Sequence, residues 1–266
     1  VIKLELVING LIMGSIISLG AMGLTLIYGN LKFAHIAHGD FMTLGAYIVL
    51  FVLTVPFHGI GLTSTGLGPF TFGYPLLLAL PFAIIVTSLI AVALDMGVYK
   101  RLRNRGANTV VVAMVSLGIA IAGRGLVQII WGGDFHQYPR LSKLFFRLPM
   151  EVRIPPDAIF ITVVALLLAL SLHLFLTRTK MGKAMRATAD NMELAKVTGI
   201  NTELVIRWTW VIGVGLAAVA GVLLAVFQAQ LLPIMGWKFL IPLFAAVILG
   251  GVGNPYGALV GAMIVG

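Results

Sequence analysis

From Leu76 to Leu94 the chain contains no Asp, Glu, Lys or Arg, and windows of this kind recur along its length. A bilayer core about 30 Å thick is crossed by about 20 apolar residues in a helix. Five windows are long enough: Leu6 to Tyr28, Leu76 to Leu94, Thr109 to Trp131, Ala158 to Leu176, and Trp208 to Val226. Three shorter apolar pieces, Phe41 to Val55, Phe239 to Leu249 and Tyr256 to Gly266, predict partial spans or broken helices. The expected fold is therefore all-α and polytopic, a single membrane domain over residues 1–266 with about eight helices. The last would continue past Gly266. Composition agrees, since 60% of the 266 residues are hydrophobic and 10% charged, against about 45–50% and about 25% in soluble domains.

A net charge of +9 invites a nucleic-acid reading, but the basic residues lie in short loops between apolar runs instead of forming one basic face. They serve better as topology signals. Tyr99 to Asn108 holds Lys100, Arg101, Arg103 and Arg105 with no acid, whereas Pro56 to Pro75 holds no charge. Positive loops stay in the cytoplasm, so the first is expected inside and the second outside. That orientation puts the N-terminus outside, 29–40 inside, 132–157 outside and 178–205 inside. Trp131, Trp208, Trp210 and Trp237 fall near segment ends, where indoles sit at headgroup depth. Cysteine is absent, which excludes disulfides and thiolate metal sites. No cleavable signal sequence is evident.

Laying Gly14 on Gly213 gives a faint internal repeat in which the short segment after the first span matches the short segment after the last long one. The halves would run in opposite senses. Inverted repeats with short, Gly-interrupted segments point to a transporter's substrate region.

Three stretches carry the remaining signal. The first, Gly29 to Asp40, joins a full span to a short one and contains His35, His38 and Asp40. These invite a metal, but a fourth ligand is missing, and capping by Asp40 with hydrogen-bonded structural histidines is the better account. The break in the helix is expected at His38-Gly39. Arg124, inside a span, needs a protein or water environment, and its partner could be in another subunit. The second stretch, Thr179 to Asn201, is too polar to span and too helix-prone for plain loop. Two short helices fit it, with Asp190 and Asn191 as N-caps and Gly199 at a C-cap. Its small residues suit a protein partner, and an amphipathic segment lying on headgroups is the alternative. The third, Leu249 to Gly261, concentrates glycines where a helix stops and restarts. Either a re-entrant turn or tight helix packing explains it. No catalytic set is present: there is no HExxH, GxSxG or phosphate loop, so the chain does not hydrolyse nucleotide itself.

Taken together these stretches resemble the permease family of the branched-chain amino-acid ABC importers, whose relatives handle urea, amides and aromatic acids. In that family an "NFAHG" plus acid and then "GAY" follow the first helix; here they read Ile36-Ala-His-Gly-Asp40 and Gly45-Ala-Tyr47, with His35 where asparagine is usual. The pattern "G, RA, A, GIN" is met by Gly182, Arg186-Ala187, Ala195 and Gly199-Ile-Asn201, and "LGGxGxxxGAxxG" by Leu249 to Gly261. The resemblance implies a translocation subunit, not an enzyme, in the bacterial inner membrane. Its partners would be a second homologous permease, two ATP-binding subunits carrying ATP and Mg, a periplasmic binding protein and lipid. No cofactor or metal is expected in this chain. Segment 178–206, with Gly182, Arg186, Ala187, Ala195 and Gly199, would couple to the ATPase. Cargo would pass Leu24, His35, His38, Gly39, Asp40 and Phe41, with Gly250, Gly251 and Gly253 opposite. A standalone secondary carrier or channel is the main competitor, a membrane-embedded enzyme a weaker one.

Overall fold

The computed structural model describes residues 2–59, 67–139, 146–147 and 153–266. Five helices are long and apolar enough to cross a membrane. They are α1 (Ile2–Leu31), α4 (Tyr74–Leu94, running on through a π-helical turn at Asp95–Tyr99 into α5, Lys100–Asn104), α6 (Thr109–Trp131), α7 (Pro156–Arg178) and α10 (Thr202–Gln228). The shorter apolar helices are α2 (His38–Thr54), α11 (Met235–Gly250) and α12 (Pro255–Val265), with a single turn, α3 (Pro56–Gly59), after α2. The expected eight segments are all helical. A two-residue antiparallel pair, β1 (Phe146–Arg147) with β2 (Arg153–Ile154), is the one small sheet among the described residues.

α1 and α10 are largely buried, while α6 and α7 leave most of their apolar surface open. Ile129, Leu166 and Ile241 are exposed, as a lipid solvent permits. Between helices in lipid there is no hydrophobic gain, so close packing must hold them together, and small residues allow it. Gly23 meets Gly213 where α1 crosses α10, Gly45 meets Ala218 where α2 crosses α10, and Gly250 meets Gly257 at the α11–α12 turn. Glycine is needed at these points because an added Cβ would strike the facing backbone.

Asparagine starts four of the helices. Asn108, Asn191, Asn201 and Asn254 each accept a hydrogen bond from a backbone N–H of the first turn of α6, α9 (Met192–Val197), α10 and α12. Asn191 is thus a cap as expected, whereas Asp190 is the last residue of α8 (Lys180–Asp190). Gly199 lies one residue past the Thr198 cap of α9 at φ +86°.

In element order, long α1 is followed by short α2 and long α10 by short α11. The two short helices cross at their N-terminal ends, where Gly39 touches Gly236 and the Gly236 N–H donates to Thr43 Oγ at 3.0 Å.

Candidate functional site

The helix break is not at His38-Gly39. α1 ends at Leu31, residues 32–37 are non-helical, and α2 resumes at His38. Lys32 takes a left-handed conformation (φ 57°), which turns the chain back on itself. His38 Nε2 shares a hydrogen bond with the Gly20 carbonyl at 3.0 Å, and its ring lies beside Gly23. Those α1 residues precede Leu31 by two to three turns, about 12–16 Å along the helix. Segment 32–37 is therefore re-entrant, and α2 starts deep in the bundle.

This segment is held by an aromatic cluster and one hydroxyl. The Ala37 N–H donates to Ser116 Oγ of α6 at 3.0 Å. His35 packs edge-on against Trp210 (4.9 Å between centroids), and Tyr99 stacks on Trp210 at 5.2 Å. Among the described residues, both His35 ring nitrogens and Nδ1 of His38 lack a hydrogen-bond partner. The expectation of hydrogen-bonded histidines holds for His38 alone.

Asp40 does not cap α2: its N-cap is Ala37, with no side-chain cap bond. Residues two apart on a helix point about 200° apart, so His38 faces α1 while Asp40 faces α6. There Arg124 Nε and Nη2 donate to Asp40 Oδ1 and Oδ2 at 3.0 and 3.1 Å, with side chains 17% and 8% exposed. The partner of Arg124 is thus in its own chain. The Arg124 guanidinium also lies 4.6 Å over the Trp237 ring of α11, so one cation ties three helices. Because Arg124 lies fifteen residues into α6, the pair sits well inside the bundle and Asp40 is not at a cytoplasmic end. Asp95, by contrast, pairs with Arg103 at 2.7 Å beside the basic loop. His35 and His38 stand 5.7 Å apart, and Asp40 points away from both, so the three do not converge as metal ligands would.

Leu24 is buried in the core, one residue from Thr25, whose hydroxyl accepts from the Gly253 N–H at 2.8 Å. Gly253 also lies against Gly29. The glycine turn therefore does face the first helix, with Gly251 and Gly253 at φ 92° and 88° and Gly250 pressed on Gly257. Phe41 joins the aromatic cluster at 5.6 Å from His35.

In the polar segment, Thr179 caps α8 by accepting from the Gly182 N–H at 2.9 Å, and Gly182 packs against the Phe175 carbonyl. Ala195 is 4% exposed and faces its own chain, so it cannot be the contact residue. Arg186 and Ala187 are exposed with Lys183, and on α9 Val197 is 85% exposed and Leu194 61%. Two features escaped the sequence reading. Lys32 Nζ donates to the Ala189 carbonyl at 2.6 Å, joining the re-entrant segment to the end of α8. Trp237 covers Arg124.

The family of branched-chain amino acid transport system permease components matches residues 6–266. Relatives include the high-affinity branched-chain amino acid transport permease BraD of Pseudomonas aeruginosa, 33% identical over 99% of this chain and 84% of its own length. LivH of Escherichia coli K12 is 31% identical over 99% and 83%. The probable permease LivH of Methanocaldococcus jannaschii is 28% identical over 98% and 79%. No solved structure matches.

Proposed function

The chain belongs to the family of permease components of branched-chain amino-acid transport systems, and from that premise we propose that it forms one half of the membrane pathway of an ATP-driven importer. Its cargo in this reading is a small amphipathic amino acid with a branched side chain; amide- and urea-like solutes form the wider class. It pairs with a second permease of the same kind in the inner membrane, receives cargo from a periplasmic binding protein, and rests on two ATP-binding subunits that hold ATP and Mg.

The observation that carries the proposal is the surface of α8 and α9. Leu194 and Val197 are exposed there, with Lys183, Arg186 and Ala187 exposed on the preceding helix, so this polar helical segment presents both apolar and basic side chains. Covering a Leu or Val side chain is worth about 1.5–3 kcal/mol each, and a partner with an apolar groove rimmed by acids would gain that and the charge complementarity. Gly182 and Gly199 shape the pair of helices without touching the partner. Lys32 would transmit a displacement of α8 directly into segment 32–37, hence to His35, His38, Gly39, Asp40 and Phe41; we assign Asp40 and Phe41, which line an open cavity, to the cargo route with the Gly250, Gly251 and Gly253 turn, and the fully buried Leu24, His35 and His38 to its support from within the bundle. A secondary carrier would need a free intramembrane acid to bind its ion, and Asp40 is engaged by Arg124.

Co-expression with candidate ATPase subunits tests the proposal. The solubilised chain is expected to bring down an ATPase, and Val197→Asp with Arg186→Glu to abolish the co-purification. Recovery of an assembled, transport-competent permease without any ATPase refutes it.

A further inference from the structure

A cavity of about 480 Å³ opens between α2, α4 and α6. Ligand sites run about 300–1,000 Å³ and are mostly apolar with a few placed polar groups. This one fits that description: Leu44, Ile90, Ile119 and Val127 contribute apolar wall, and Asp40 and Arg124 are the charged residues in its lining. A guanidinium has five N–H donors. Two go to Asp40, and the remaining three have no protein acceptor among the described residues. The carboxylate likewise keeps unfilled lone pairs, since an ionised acid can accept at about four sites.

We propose that this cavity is a transient subsite for a zwitterionic amino acid with a short branched aliphatic side chain. The α-carboxylate takes the spare donors of Arg124, the α-ammonium shares the Asp40 carboxylate, and the side chain lies against Leu44, Ile90 and Ile119. Two opposite charges meet two opposite charges, so occupancy adds no net charge to a low-dielectric region, where a lone ion would cost several kcal/mol. Trp237 and the bidentate geometry hold Arg124 in place whether or not cargo is bound. A solute with only one of the two charges would leave a pole of the pair competing with its own partner. The inference rests on the importer reading and narrows its cargo to zwitterions at one named place.

The absence of natural cysteine makes a direct test available. Ile119→Cys in the assembled complex, solubilised without ATP, is labelled with N-ethylmaleimide and read on this chain after electrophoresis. Millimolar leucine is expected to slow labelling several-fold, whereas leucinamide and 4-methylpentanoate, each lacking one charge, leave it unchanged. Equal protection by all three, or by none, overturns the subsite. The charge swap Asp40→Arg with Arg124→Asp is the second arm. Leucine uptake at the parental rate in the assembled, charge-swapped complex overturns the proposal, because the swap leaves no guanidinium at position 124 for the α-carboxylate. The two readings fail differently: a parental complex that takes up no leucine refutes the importer assignment, while one that takes it up without protecting Ile119→Cys refutes this site alone.

Discussion

A single methyl group at Gly39 should separate two helices. A Cβ there would fall on the carbonyl oxygen and carbon of Gly236, backbone atoms that cannot swing aside. To bring the new carbon out to the roughly 3.3–3.6 Å at which C···O contacts normally rest, α2 and α11 must part by about an ångström. The Gly236 N–H to Thr43 hydroxyl bond, now 3.0 Å, would then stretch beyond its useful range. Overpacking of this kind costs about 1–3 kcal/mol, and the lost hydrogen bond about 1 kcal/mol more. Gly39→Ala should therefore lose about 2–4 kcal/mol, a factor of about thirty to several hundred in the folding equilibrium. The control is the same substitution at Gly118, inside α6, where a Cβ meets nothing within 4 Å. Gly118→Ala should be neutral or stabilising by up to about 1 kcal/mol through helix propensity. Denaturant titration of the isolated subunit in detergent, followed by tryptophan fluorescence, measures both. Equal midpoints for Gly39→Ala and the parent, or an equal loss in Gly118→Ala, would show that the crossing is not held by this contact.

Other expectations are as direct. Asp40→Asn and Arg124→Gln should each destabilise by about 3–5 kcal/mol, because each strands a buried partner, while the double variant should cost clearly less than their sum; additive losses in a double-mutant cycle would mean that the pair does not couple. Lys32→Ala should leave folding nearly unchanged yet lower leucine uptake per ATP hydrolysed in the assembled complex, and an unaltered ratio would remove Lys32 from the coupling route. Single cysteines at Ser64, which lies outside the described residues, and at Asn104 should react with an impermeant maleimide from opposite sides of intact cells. Labelling of both from outside would overturn the orientation.

The long spans were legible because hydropathy integrates over many residues: α4, α6 and α7 begin and end within two residues of the sequence expectation. The caps at Asn191 and near Gly199 were legible because a side-chain acceptor and a left-handed backbone are local chemistry. The depth of segment 32–37 was not, since no local property of Leu31 to Ala37 distinguishes a loop that leaves the bundle from one that turns back into it. Only the long-range bonds of Ala37 to Ser116 and His38 to Gly20 decide that. Arg124 lay between these cases. Its position demanded a partner, but Glu5, Asp40, Asp95 and Asp157 all border expected spans, and only the fold brings Asp40 to it. The inward turn of Ala195 depends on how α9 docks on its own chain, which composition does not encode.

The crossing of α2 and α11 at their first turns has an electrical consequence. Each helix N-terminus carries the equivalent of about half a positive charge, and here two of them converge inside the bundle at Gly39 and Gly236, with the Asp40–Arg124 pair adding no net charge beside them. Protons and sodium ions approaching that point would meet a positive potential. A route for neutral zwitterions would thereby be closed to the cations whose gradients energise the membrane. Proteoliposomes carrying the chain should hold an imposed proton gradient as long as empty ones do, and rapid dissipation would show that the convergence offers no such barrier.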